Sequence, residues 1–221
     1  MAVRGRTADD GCMQIALALY DRFTALDIVG PFQVLADVPG HDLVWVADRV
    51  GPVTDHTGRL PITATASFDE VTAPDIVVVP GGIDTAGHLP DHPIVDWLRR
   101  VHPTTTWTTS VCTGSLLLAG AGLLDGVDAT SHWCSAELLD GLGAHYTAER
   151  VVERGRIITA AGVSAGIDMA LTLLGHLHGE GVAQAVQLAI EYDPQPPFDA
   201  GSPSKAPAEI VDLVRSLQAT T

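Results

Sequence analysis

The residues of this chain best suited to chemistry lie in one stretch, Thr105-Thr106-Trp107-Thr108-Thr109-Ser110-Val111-Cys112-Thr113-Gly114-Ser115-Leu116-Leu117-Leu118. Its first half is β-branched and aromatic, the composition of a strand buried on both faces of a sheet. Its second half, small residues followed by leucines, reads as a helix. Cys112 falls at the junction. A side chain on a sharp strand-to-helix turn stands clear of the sheet, and the free N–H groups at a helix N-terminus lower a thiol pKa. The pattern predicts a nucleophilic thiolate. The alternative is a buried, inert cysteine, since free cysteines are among the most buried residues.

Three other places could serve such a thiol. Asp27 sits near the start of a segment, 26–35, whose apolar positions recur at helical spacing, at the end where a first strand delivers the chain. It is either an N-cap or a carboxylate aimed at the cysteine. Gly81, Gly82 and Ile83 follow the uniformly apolar run Asp75-Ile76-Val77-Val78-Val79-Pro80. Two glycines there let the backbone approach a ligand and offer N–H groups to an oxyanion, or simply make a tight turn. His132, in Ala129-Thr130-Ser131-His132-Trp133, could face the thiol as a base or hydrogen-bond partner, or be structural. His41, His56, His88, His92 and His102 lie in polar turns and read as surface residues.

The elements that must position these groups alternate. Strands are expected at 14–20, 42–47, 75–80 and 105–110, with a small hairpin or loop excursion at 50–65 and a hairpin at 151–160 turning at Arg154-Gly155. Helices are expected at 26–35, with an irregularity or break at Gly30-Pro31, and at 94–101. Further helices are expected from Cys112 to about 120–122, from an N-cap at Ser164 to His178, at 182–191 and at 208–217. The proline-rich 192–198 reads as an extended strap. This order implies an α/β sandwich with a mainly parallel sheet, formed by one domain over 13–221 after a disordered lead-in, 1–12. Ligands in such sheets bind beyond the carboxyl ends of the strands, and Asp27, Gly81-Gly82 and Cys112 each follow a strand at that edge.

Composition narrows the partners. The 221 residues are 46% hydrophobic with a formal charge of −15, which disfavours nucleic acid and anionic membranes, because phosphate binding needs lysine and arginine. No apolar run reaches transmembrane length, and the first ten residues lack a hydrophobic signal core, so a cytoplasmic location is expected. Cys12, Cys112 and Cys134 show no CxxC spacing, which fits neither a disulfide framework nor a zinc site, and no metal is expected. Cys12 and Cys134 are expected to be structural.

The segments Pro80-Gly81-Gly82, Ser110-Val111-Cys112-Thr113-Gly114, Ala129-Thr130-Ser131-His132-Trp133 and Ala161-Gly162-Val163-Ser164-Ala165-Gly166-Ile167-Asp168 resemble the ThiJ/PfpI superfamily. Within it, Leu26-Asp27-Ile28-Val29-Gly30-Pro31 and Asp193-Pro194-Gln195-Pro196-Pro197-Phe198 are similar to the isonitrile (isocyanide) hydratase branch. The resemblance implies a flavodoxin-like fold, a homodimer, and hydration of a small-molecule isonitrile to an N-substituted formamide without metal or organic cofactor. It maps the elbow cysteine to Cys112, its acidic neighbour to Asp27 and the elbow threonine to Thr113. Gly81, Gly82, Ile83, Gly114 and His132 are then the expected substrate and oxyanion contacts. Many superfamily members carry glutamate where this chain has Asp27, and proteolytic members carry histidine where it has Thr113; both departures point away from peptidase chemistry. Two other readings share these motifs: a glyoxalase-, deglycase- or oxidative-stress-type protein, and a ligand-sensing domain related to AraC-type regulators. A regulator of that kind would append a helix-turn-helix domain, and none is expected after Thr221.

Overall fold

A computed structural model describes residues 12–89 and 91–218. The first strand, β1 (Met13–Ala18), is apolar and fully buried from Ile15 to Ala18, and β6 (Ile76–Val79) is so throughout, because both faces are covered there. Between them come α1 (Ala25–Leu35), β2 (His41–Ala47), the antiparallel hairpin β3 (Gly51–Thr54) and β4 (Pro61–Ala64), and the short β5 (Ala66–Ser67). Then follow α2 (Pro93–Val101), β7 (Trp107–Val111) and α3 (Gly114–Gly120). Next are β8 (Asp128–Ala129), α4 (Ala136–Gly141), β9 (His145–Tyr146) and the hairpin β10 (Val151–Arg154) and β11 (Ile157–Ala160). The chain closes with α5 (Ala165–His178), α6 (Glu180–Ala189) and α7 (Ala208–Gln218).

The main sheet has the order β10-β11-β7-β6-β1-β2-β5, parallel except for the edge strand β10. From β1 the chain steps one way to β2; from β6 it steps the other way to β7. Right-handed crossovers therefore put α1 and α2 on opposite faces and open a crevice beyond the carboxyl ends of β1 and β6. The mainly parallel α/β architecture expected from the sequence is what forms. On one face α1 packs against α5; on the other α2 packs against α3. The fully buried Trp97 of α2 stacks on Phe68 with ring centroids 4.8 Å apart and donates its indole N–H to the Val71 carbonyl at 2.8 Å.

Several local expectations are corrected. Helix α1 runs unbroken through Gly30 and Pro31. A side chain at Gly30 would lie 3.1 Å from Ile167, and one at Gly166 would lie 3.2 Å from the Pro31 ring, so packing of α1 on α5 holds the helix together across the proline. Ser164 precedes α5 but does not cap it: its own backbone is already helical (φ −72°, ψ −15°), and its hydroxyl accepts from Arg150 at 3.2 Å instead. The β10–β11 turn is Gly155-Arg156, one residue later than expected, because Gly155 takes the left-handed conformation at φ +61°. The expected lead-in, 1–12, lies outside the described residues except for Cys12.

Gly114 shows how tightly the site end of the sheet is built. A Cβ on it would come within 2.4 Å of the Val79 carbonyl oxygen and 2.9 Å of that of Pro80. The backbone of β6 cannot retreat, being paired on both sides. Gly114→Ala is expected to destabilise the protein by about 1–3 kcal/mol, the usual cost of overpacking. Urea unfolding checks this through a lower midpoint at unchanged slope.

Candidate active site

Cys112 is the single residue linking β7 to the turn that opens α3, and it holds a left-handed backbone at φ +58°. For a residue with a Cβ this is a strained conformation, maintained only when its surroundings over-determine it. They do: its N–H donates to the Ala160 carbonyl at 2.9 Å, and the hydroxyls of Ser115 and Ser131 both donate to its carbonyl at 3.1 Å. The side chain is 5% exposed.

Asp27 lies in the first turn of α1, and the helix starts from Thr24, so it is not the N-cap. It is completely buried. Its Oδ2 accepts the Gly81 N–H at 2.9 Å, while Oδ1 has no hydrogen-bond partner of ordinary geometry among the described residues. Burial raises its pKa to about 7; the Gly81 N–H opposes the rise, as does the facing Cys112 thiol. The thiol is also pushed up, by burial and then by the Asp27 charge, with the backbone N–H and hydroxyl of Thr113 pulling the other way. This corrects the expectation of a thiol acidified by a helix end. The two acids are out of water and share a site, so they titrate as one pair that keeps its protons longer than either free group.

Thr113 joins this pair to the glycine loop. Its hydroxyl is 2.9 Å from both the N–H and the carbonyl of Gly82 and 2.8 Å from the Thr85 hydroxyl. Thr85 in turn meets the buried Tyr20 hydroxyl at 3.0 Å. Gly81 and Gly82 are therefore glycines for closeness: a Cβ on Gly81 would lie 2.6 Å from Thr113 and 2.9 Å from Asp27, and one on Gly82 would lie 2.8 Å from the Arg22 carbonyl. Their N–H groups are committed to Asp27 and Thr113, which corrects the expectation that Gly82 offers a free oxyanion donor. Gly114 likewise serves packing; it does not line the cavity.

A cavity of about 720 Å³ opens over the sulfur, with Cys112, Thr113, Gly82, Ile83 and His132 among its walls. His132 and the Cys112 sulfur flank Gly162, where a Cβ would sit 2.4 Å from the imidazole and 3.2 Å from the sulfur. The His132 Nδ1 accepts the Cys134 N–H at 3.3 Å, and burial holds the ring below its ordinary pKa. The neutral ring then carries its proton on Nε2, so His132 is a donor rather than the base it was weighed as. Among the described residues, no group of three or more His, Cys, Asp or Glu side chains gathers as metal ligands.

The structure thus brings Cys112, Asp27, Thr113, Gly81, Gly82, Ile83 and His132 to one sheet edge. Sequence reasoning missed Tyr20 and Thr85, which continue the hydrogen-bonded chain behind Thr113. Their only signals were the tyrosine ending the first strand and the threonine just after the double glycine. Gly162, in one of the segments that carry the family resemblance, makes room for sulfur and imidazole. Cys134 and His56, read as structural and surface residues, stand on the cavity wall, as do Trp133 and Arg215.

Residues 13–176 match the DJ-1/PfpI family. The chain belongs to that family. Its DJ-1/PfpI relatives include the isonitrile hydratase of Pseudomonas putida, 43% identical over 92% of this chain and 89% of that protein. The fold matches a crystal structure of a ThiJ/PfpI family protein from Pseudomonas syringae with a TM-score of 0.90, at 37% identity, over 99% of this chain and 93% of that one. The family domain also recurs in larger proteins: the HTH-type transcriptional regulator GbdR of Pseudomonas aeruginosa is 30% identical over 81% of this chain, which spans 50% of the regulator. No described helix is long and apolar enough to cross a membrane.

Asp27 carries a measurable cost. Between pH about 4 and about 7 the folded chain keeps a proton on Asp27 that the unfolded chain has released, so stability falls as pH rises through this window. The full loss above pH 7 is on the order of 4 kcal/mol. Asp27→Asn has no such proton to lose. In urea unfolding, the variant is expected to gain on the wild type progressively from pH 4 to pH 7 and to hold that lead at pH 8.

Proposed function

We propose that this protein is an isonitrile hydratase, converting an isonitrile and water to an N-substituted formamide with Cys112 as nucleophile and Asp27 as proton carrier. The observation that carries the proposal is the buried Asp27 carboxyl set against the Cys112 thiol, in a chain 43% identical to a hydratase over nearly its full length. Hydration of an isonitrile needs a nucleophile for the terminal carbon and a proton for that same carbon. A cysteine–aspartate pair that holds one proton between its two members supplies both.

The competent state has the charge on sulfur and the proton on Asp27; the N–H and hydroxyl of Thr113 favour this arrangement. The sulfur attacks the terminal carbon while Asp27 protonates it, forming a thioimidate, R–N=CH–S–Cys112. The Asp27 carboxylate then takes a proton from water as the water oxygen bonds to the thioimidate carbon. The same proton passes to the substrate nitrogen, leaving R–NH–CH(OH)–S–Cys112. Collapse forms the carbonyl, breaks the C–S bond and returns the hydroxyl proton to Asp27, which releases the formamide and restores the pair. The donors available to the developing charges are the His132 Nε2–H and the Thr113 N–H. No step calls for a metal or an organic cofactor.

The homodimer implied by the family resemblance is part of this proposal. Leu188 on α6 and Phe198 in the following strap, 77% and 79% exposed, are apolar side chains that a second copy could cover.

The test is formamide production from cyclohexyl isonitrile. Cys112→Ala is expected to abolish turnover, and Asp27→Asn to lower kcat by about 10²–10⁴, the range for a lost general acid–base. Wild-type kcat/KM is expected to rise with pH through about 7, because below that pH the pair holds both protons and sulfur carries no charge. Wild-type protein inert toward isonitriles would refute the proposal.

A further inference from the structure

The cavity extends well beyond the thiol, and its outer wall has a direction. His132 sits beside the Cys112 sulfur across Gly162. The Trp133 ring follows, its centroid 5.8 Å from that of His132, and the Arg215 guanidinium lies over the Trp133 ring at 5.5 Å. Imidazole donor, indole face and guanidinium thus succeed one another from the reactive sulfur toward the cavity mouth, and all three line the cavity. About 720 Å³ is far more room than a bare alkyl isonitrile fills.

The protein has 12 lysines and arginines against 27 acids, and among the described residues the acid paired with Arg215 is Asp212, at 3.9 Å and at the edge of ion-pair range. Half-buried Val211 and Val214 of α7 share a small cleft with Trp133 and the loop over 200–206, and Arg215, next on the helix, lines the cavity. A guanidinium stacked on an aromatic face keeps its edge N–H groups free for a carboxylate.

We infer that Arg215 selects substrates carrying an anionic group at the end remote from the reacting carbon: isonitriles bearing a terminal carboxylate, with an apolar spacer lying across Trp133. This rests on the hydratase reading and adds a substrate class to it. Two features moderate the effect. Glu137 also lines the cavity and opposes an anion, and the Arg215 side chain is 63% exposed and therefore screened by salt. The preference is one of several-fold, not of orders of magnitude.

The experiment compares terminal isocyano-carboxylates, on spacers of increasing length, with their methyl esters, in wild type and in Arg215→Gln. The ratio of kcat/KM for acid over ester is expected to fall at least about fivefold in the variant, the scale of one partly screened charge-assisted contact. Arg215→Lys, which keeps the charge, is expected to retain most of the preference. In wild type the same ratio should fall as salt is raised, a reading independent of how well either variant folds. An acid-to-ester ratio that is the same in wild type and Arg215→Gln overturns the inference while leaving the hydratase reading intact. If no isonitrile is turned over, the hydratase reading fails and the same acid–ester pairs are scored by protection of Cys112 from iodoacetamide. Better protection by the acid only when Arg215 is present then sustains the anion subsite; equal protection by acid and ester overturns it.

Discussion

Everything at the carboxyl edge of this sheet is arranged around two acids removed from water and placed against each other. Asp27 has no solvent exposure and Cys112 has 5%; burial makes both harder to ionise, and the Asp27 charge raises the thiol further, while the thiol partly offsets the rise at Asp27. A buried pair of this kind is costly, and the surrounding structure is what makes it tolerable. The Gly81 N–H holds one carboxylate oxygen, while Thr113 presents its N–H and hydroxyl to the sulfur. A left-handed cysteine backbone is held by three hydrogen bonds from neighbouring elements. These supports come from the ends of β6, β7 and β11, from the start of α3 and from Ser131 after β8, so the pair depends on several elements being in place together.

The glycines and small residues of the site follow from this crowding. Gly81, Gly82, Gly114 and Gly162 each sit where a single carbon more would strike a backbone atom or a functional side chain within 3 Å. Their contribution is closeness. The amides of Gly81 and Gly82 are taken up in positioning Asp27 and Thr113. The hydroxyl relay from Thr113 through Thr85 to Tyr20 fixes the threonine from behind, out of reach of substrate.

The inner and outer ends of the cavity are built by different parts of the chain. The sheet edge provides Cys112, Thr113 and Gly82. The segment after β8 and the last helix, α7, provide Trp133 and Arg215. The family fold itself occurs in relatives as different as a hydratase and a transcriptional regulator of which this chain spans half.

Much of the architecture was legible in the residues themselves. Apolar runs such as Ile76 to Val79, and the switch at Cys112 from β-branched to small residues, report directly on strands buried on both faces and on a strand-to-helix junction. Alternation of the two then leaves a parallel sheet as the consistent packing, with the reactive residues at its carboxyl edge. Local pattern failed where tertiary contacts outweighed it: Pro31 did not break α1 because α5 packs across it, and Ser164 did not cap α5 because Arg150 engages its hydroxyl. The protonation of the site was likewise out of reach. A helix start beside a cysteine argues for an acidic thiol, but burial against Asp27, 85 positions earlier in the chain, reverses the sign. Nor could local sequence show that His132 is a donor, or that Cys134, His56 and Arg215 share a cavity with Cys112. Residue type and spacing determine which elements form and which side chains can react. Desolvation, tautomer and the company a side chain keeps depend on groups far apart in sequence, and only the folded chain decides them.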